Sequence, residues 1–187
     1  MTTISNDKYE STGETIEVLG HTLHRIRAKR DFVGVKVGDL GGWIANENNL
    51  ATDGDAWVSG NARVYGDARV YGDAWVSGNA KVSGNARVYG DAWVSGNAWV
   101  SDNARVSDNA RVCGDAHVYG SARLFGSAQL FGNAQLFGNA HVYGYAEVCG
   151  DAWVYGYAEV CGDALVYGKA RVCGDALVYG DAHISDN

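Results

Sequence analysis

From Asp55 onward, every sixth residue of the chain is aliphatic. The 22 positions run from Val58, Val64 and Val70 to Ile184, and 18 are Val, three are Leu and one is Ile. An alanine sits two residues before each, from Ala56 to Ala182. In its commonest form the unit reads [Asp/Asn]-Ala-x-Val-[Ser/Tyr/Phe/Cys]-Gly. Side chains alternate across a strand, so Ala and Val share one face, and the residue between them and the one after Val face the other way. The pattern predicts very short strands with an Ala/Val inner face and an outer face of Trp, Arg, Tyr and Ser. Gly-Asp or Gly-Asn then turns the chain, because Gly accepts φ > 0 and Asx bonds its local backbone. Strands this short cannot bury a face alone. Stacked coils can, each strand pairing with the one above and the one below.

The first 50 residues lack the repeat and read as a cap. Thr15–Leu19 and Thr22–Ala28 predict two strands around Gly20-His21, a hairpin signal. Gly41-Gly42-Trp43-Ile44 reads as a degenerate first hexad, with Leu50 six residues after Ile44. Residues 1–50 are thus an N-terminal cap and residues 51–187 the repeat body, in one folding unit. A cap is expected because an open coil end exposes unpaired strand edges. The segment HISDN offers no helix or irregular structure at the other end. That predicts end-to-end pairing with a second copy through a surface that includes His183 and Ile184.

The uniform Ala-x-Val spacing resembles the hexapeptide-repeat proteins. The resemblance implies an all-β fold, a left-handed parallel β-helix shaped as a triangular prism with three hexapeptides per coil. In that family an aliphatic residue points inward and a small residue sits two positions earlier, as in Val58 and Ala56. The head, LHRIRAKRDF (Leu23–Phe32) followed by GDLGGWI (Gly38–Ile44), is similar to that of a group of bacterial and prophage proteins. Those proteins join such a head to regular repeats and are often labelled acyltransferases, on the strength of the fold.

With three hexads per coil, residues 18 apart stack in columns about 4.8 Å apart. The outward position before Val then sorts by face. One face carries Trp57, Trp75 and Trp93 beside Asp55, Asp73 and Asp91, followed by Arg111. A second carries Arg63, Lys81, Trp99 and His117. The third carries Arg69, Arg87, Arg105, Arg123 and His141, with Tyr71, Tyr89, Phe125 and Tyr143 alongside. The tryptophan column reads either as a stabilised flat sheet or as an interface anchor. The arginine column reads either as a ladder stacked on tyrosines and paired with turn carboxylates such as Asp67, or as a stripe for an anionic or polar partner. One turn departs from Val: Leu124, Leu130 and Leu136 are followed by Phe125, Phe131 and Phe137, one per face. Exposed Phe on every side predicts an oligomer contact, although copying of one hexad would give the same pattern.

Composition narrows the function. The formal charge is −7, which disfavours broad nucleic-acid binding. No apolar run approaches the ~20 residues that span a bilayer, and the first residues show no signal-peptide pattern. Cytoplasmic residence is expected. Cys113, Cys149, Cys161 and Cys173 share one repeat position without CxxC spacing and read as free thiols.

Candidate chemistry is thin. The acyl-CoA-dependent relatives imply a catalytic histidine near a subunit interface, and His117 and His141 are the weak candidates. Each occupies an ordinary outward position. The repeat register runs unbroken, so the loop that many such transferases extrude is missing. The γ-type carbonic anhydrases hold zinc with three histidines, but those here fall on different faces without a close pair, so no metal is expected. The many serines have no paired His and Asp. No cofactor is expected, except a coenzyme A thioester under the transferase reading. The leading expectation is a non-catalytic scaffold that binds a protein partner, in one form a prophage counter-defence inhibitor. An acyltransferase and a self-assembling structural protein are the alternatives.

Overall fold

The computed structural model describes residues 4–186. Strands β1 (Tyr9–Val18), β2 (His21–Ala28) and β3 (Leu40–Ile44) precede 22 two-residue strands, which recur every six residues from Trp57–Val58 to His183–Ile184. The short strands form three parallel sheets around a prism. One sheet has eight strands, one seven, and one ten because the three cap strands extend it. Pairing is between residues 18 apart: Trp75 with Trp93, Lys81 with Trp99, Arg87 with Arg105. The expected parallel β-solenoid of triangular section is therefore the fold.

Each strand is too short to hold itself. Its amides reach the next coil instead, as Arg87 N donates to Ala104 O at 2.9 Å and Tyr89 N to Val106 O at 3.0 Å. The inward Ala and Val side chains from Ala56 to Val166 are fully buried in one continuous core. Glycine is needed at the turns for two reasons. At Gly132, φ is +71°, and a Cβ would lie 3.0 Å from Gly150 N in the next coil. An L-residue pays roughly 1–2 kcal/mol for that conformation.

The cap differs in detail from the sequence reading. The first strand begins at Tyr9, with a bulge between Ser11 and Thr15. The turn residues are Leu19 and Gly20, not Gly20 and His21. Both have positive φ, 49° and 80°, as a type I′ hairpin requires. β3 pairs antiparallel with β2 and parallel with Arg63–Val64, so it bridges cap and body. Ile44 lies opposite Val64 and Leu50 opposite Val70. The degenerate first coil is real, but its offset is 20 residues, because two extra residues separate Leu50 from Val58.

Asn49 seals this irregular coil. It is fully buried, its Nδ2 donates to Gly66 O and Ala68 O, and its Oδ1 accepts from Ala45 N and Asn46 N. Lys8, also buried, donates from Nζ to Gly54 O at 3.0 Å and to Ala51 O at 3.3 Å, beneath the Phe32 ring. Burial first, and the Arg30 charge second, pull its pKa down to about 8.

Two predictions follow from this packing. Val106→Asp places an unpaired charge among fully buried neighbours, for an expected loss of more than about 4 kcal/mol. A normal melting curve for that variant would refute the inward assignment. Between pH 8 and 10 the unfolded chain keeps a proton on Lys8 that the folded chain has released, so stability rises with pH in that window. Burial of Cys113 and Cys149 acts in the opposite sense over the same window, so the check is the difference: the urea midpoint of the wild type should rise with pH relative to that of Lys8→Met.

Candidate functional site

The third face carries the strongest concentration of charge. Arg69, Arg87, Arg105 and Arg123 stand in one column, paired strand to strand, and all four are exposed. Among the described residues, none of these guanidiniums meets a carboxylate or lies over an aromatic ring. The ion pairs are Arg27–Glu10 and Lys36–Asp31, and the cation–π contacts lie elsewhere. The reading in which arginines stack on tyrosines and pair with Asp67 is therefore corrected. The tyrosines stack on each other instead: Tyr71 and Tyr89 are 4.9 Å apart with rings 1° from parallel. Stacking along the column turns their faces toward neighbouring coils and leaves only their edges to the guanidiniums.

The stripe begins in a hollow of about 440 Å³, where Arg69, Arg87 and Tyr71 face Glu47 and Asn48 of the cap and Thr52 and Asp53 just beyond it. Asn49 holds that wall in place. Burial pushes the Tyr71 hydroxyl above its usual range and Tyr89 adds to this, while Arg87, Arg105 and Arg69 draw it back. The guanidiniums thus act on the tyrosine edges through space. A second hollow of about 260 Å³ lies further along, between Tyr89, Ser107 and Phe125, with Arg105, Arg123 and Asp108 at its rim.

The tryptophan column is not one ladder. Trp57 is 2% exposed. The cap covers it with Phe32 at 5.3 Å and Tyr9 at 6.5 Å between ring centroids. Trp75 is half-buried against Gly34, and Trp93 alone is open to solvent at 47%. Trp57 is thus part of the cap junction and unavailable as a surface anchor. Sequence reasoning missed this because the cap strands that cover it carry no repeat register.

The phenylalanine belt is less exposed than the sequence suggests. All three rings are half-buried. Phe137 lies between Tyr119 and Tyr155 at 4.9 Å from each, and Phe125 stacks on Tyr143. Ring stacking thus occupies one side of Phe125 and both sides of Phe137, and leaves the outer edges of the belt partly exposed. At the last coil, His183 is exposed and Ile184 is half-buried against the core.

His117 meets the Trp99 ring edge-on at 5.9 Å, and His141 meets Phe125 edge-on at 6.4 Å. Neither imidazole has a hydrogen-bonded carboxylate to orient it among the described residues, which a general base of the usual design has. The four thiols are free. Burial raises the Cys113 and Cys149 pKa values, away from thiolate character. Among the described residues, no three His, Cys, Asp or Glu side chains cluster as a metal site would. No helix in that range is long and apolar enough to cross a membrane. What the third face presents is charge and aromatic rings.

With the coils in view, the comparison with known families is direct. The family described as YdcK beta solenoid repeat matches residues 62–78, 80–96 and 170–186. Each matched stretch runs for about one coil. The chain is a β-solenoid repeat protein. No curated protein matches it.

The aromatic columns should carry measurable stability. Each stacked pair contributes about 0.5–1.5 kcal/mol beyond area burial. Phe137→Ala breaks two such pairs and is expected to cost about 1–3 kcal/mol, read from the shift in urea midpoint. An unchanged midpoint would show that the stack is incidental.

Proposed function

We propose that this chain is a non-catalytic binding scaffold, and that its third face grips an acidic surface of a protein partner. The observation that carries the reading is the arginine column, which makes no direct ion pair among the described residues and has only Glu47, Asp53 and Asp108 nearby in its two hollows. Four like charges at strand spacing repel one another. Such a column disfavours the folded state unless something outside the chain offsets it. An acidic partner would do so at short range, where the local stripe outweighs the net negative charge of the body.

Rigidity supports the reading too. The arginines rise from a sheet whose register is set by backbone pairing, so their attachment points are fixed before the partner arrives and no backbone has to be ordered on binding. The body around the stripe is acidic, with a formal charge of −7. A nucleic-acid backbone would be repelled by most of that surface. The head's likeness to prophage proteins makes a counter-defence inhibitor one specific form of the proposal.

Arg87→Glu combined with Arg105→Glu is expected to weaken capture of the partner from host lysate at least tenfold. The melting temperature should hold or rise, since like-charge repulsion is relieved. Binding should also fall as salt is raised. Undiminished capture by the double variant would assign the stripe a purely structural role.

A further inference from the structure

The aromatic column beside the arginine stripe loses its ring at Ser107 and again, beyond the arginines, at Cys161. Residues 71, 89, 107, 125, 143, 161 and 179 occupy it in order. Tyr71 stacks on Tyr89 at 4.9 Å and 1°, and Phe125 stacks on Tyr143 at 4.9 Å and 7°. Between the two pairs stands Ser107, only 6% exposed. A ring in that place would lie about 4.9 Å from Tyr89 on one side and Phe125 on the other, the spacing the column already uses. The 260 Å³ hollow is this missing ring's place.

The backbone breaks its own rule at the same point. Body turns from Gly54 to Gly180 use glycine at positive φ except at two, where Asp102 and Asp108 adopt φ of 58° and 57°. Asp tolerates this region better than most residues, but at some strain. Asp108 lines the hollow, and its Oδ2 accepts from Gly126 N at 3.0 Å. That bond leaves the carboxylate with further acceptor capacity. The serine hydroxyl adds a second acceptor at the floor.

The neighbouring face lacks such a slot. There Ser101 has Tyr119 on one side only, because Ser83 lies on the other and takes the Trp99 indole N–H at 3.0 Å. The Ser107 gap is flanked on both sides by ring faces and edged by Arg105 and Arg123.

We infer that the Ser107 gap is an intercalation slot for one aromatic side chain, carried in an acidic segment of the protein partner. The inference rests on the stripe reading above and names what the partner must present. Ring faces above and below take the aromatic group. The acceptors at Ser107 and Asp108 suit a ring with its own donor, an indole N–H or a phenol O–H. The guanidiniums on either side take flanking carboxylates. A free nucleotide shares the planar ring and the negative charge, and it is the competing occupant that the test separates.

The test uses the full chain and two blocked peptides, EEEWEEE and EEEAEEE, with AMP as a third probe, all by titration calorimetry. The wild type is expected to bind the Trp peptide about tenfold tighter than the Ala peptide, a difference that corresponds to two stacked pairs. Ser107→Tyr fills the gap with the residue its column uses elsewhere. It should raise the melting temperature and erase the Trp preference while still binding both peptides weakly. Asp108→Gly, which restores the usual turn, should fold normally and reduce the preference. If the Trp and Ala peptides bind equally and Ser107→Tyr changes nothing, the slot is refuted while the stripe reading stands. If neither peptide binds, both fall. If AMP binds at Ser107 and the peptides do not, the slot belongs to a nucleotide and the protein partner is overturned.

Discussion

The hydrogen bonds between one coil and the next decide nearly everything else in this molecule. A two-residue strand has no internal stability, so each coil exists because its amides and carbonyls are met by its neighbours. That pairing fixes the register at 18 residues. It also puts every outward side chain directly beside its own equivalents, since whatever a sequence places at one position meets its repeat about 4.8 Å away.

Stacking like on like has opposite consequences for different residues. Asparagines gain from it: Asn79 donates to Asn97 at 3.0 Å, and Asn97 to Asp115 at 2.9 Å. Aromatic rings gain as well, in the Tyr119–Phe137–Tyr155 run. Arginines lose. Elsewhere the chain manages its cations by stacking, with Lys81 over Trp99 and Arg171 over Trp153. On the third face it runs four arginines together without such relief. The charge is concentrated where the aromatic column also breaks, and this coincidence is what gives the face a functional reading.

The cap works by departing from the repeat. Its offset of two residues leaves a gap in the ladder that Asn49 fills with four hydrogen bonds. Its loop sets Phe32 on Trp57 and builds the wall opposite Arg69 and Arg87. Closure of the open coil end and formation of the first hollow are one structural event. Both depend on irregular backbone that no periodic rule describes.

Much of this was legible in the chain alone. Six-residue periodicity determined the strands and the inward Ala and Val, because side chains alternate across a strand; three hexads per coil, and with them the faces and columns, were implied by the likeness to hexapeptide-repeat proteins. The Ser101-Asp102 and Ser107-Asp108 steps were visible too, as the two places in mid-body where the turn glycine is lost, but periodicity gives a small residue no weight. Only the tertiary structure decided which columns are open. It buried Trp57 under the cap, folded Phe125 and Phe137 into ring stacks, and left four guanidiniums without an ion pair among the described residues. The reason is physical: register is a property of the backbone and follows from spacing, whereas exposure and pairing depend on what packs across from each side chain.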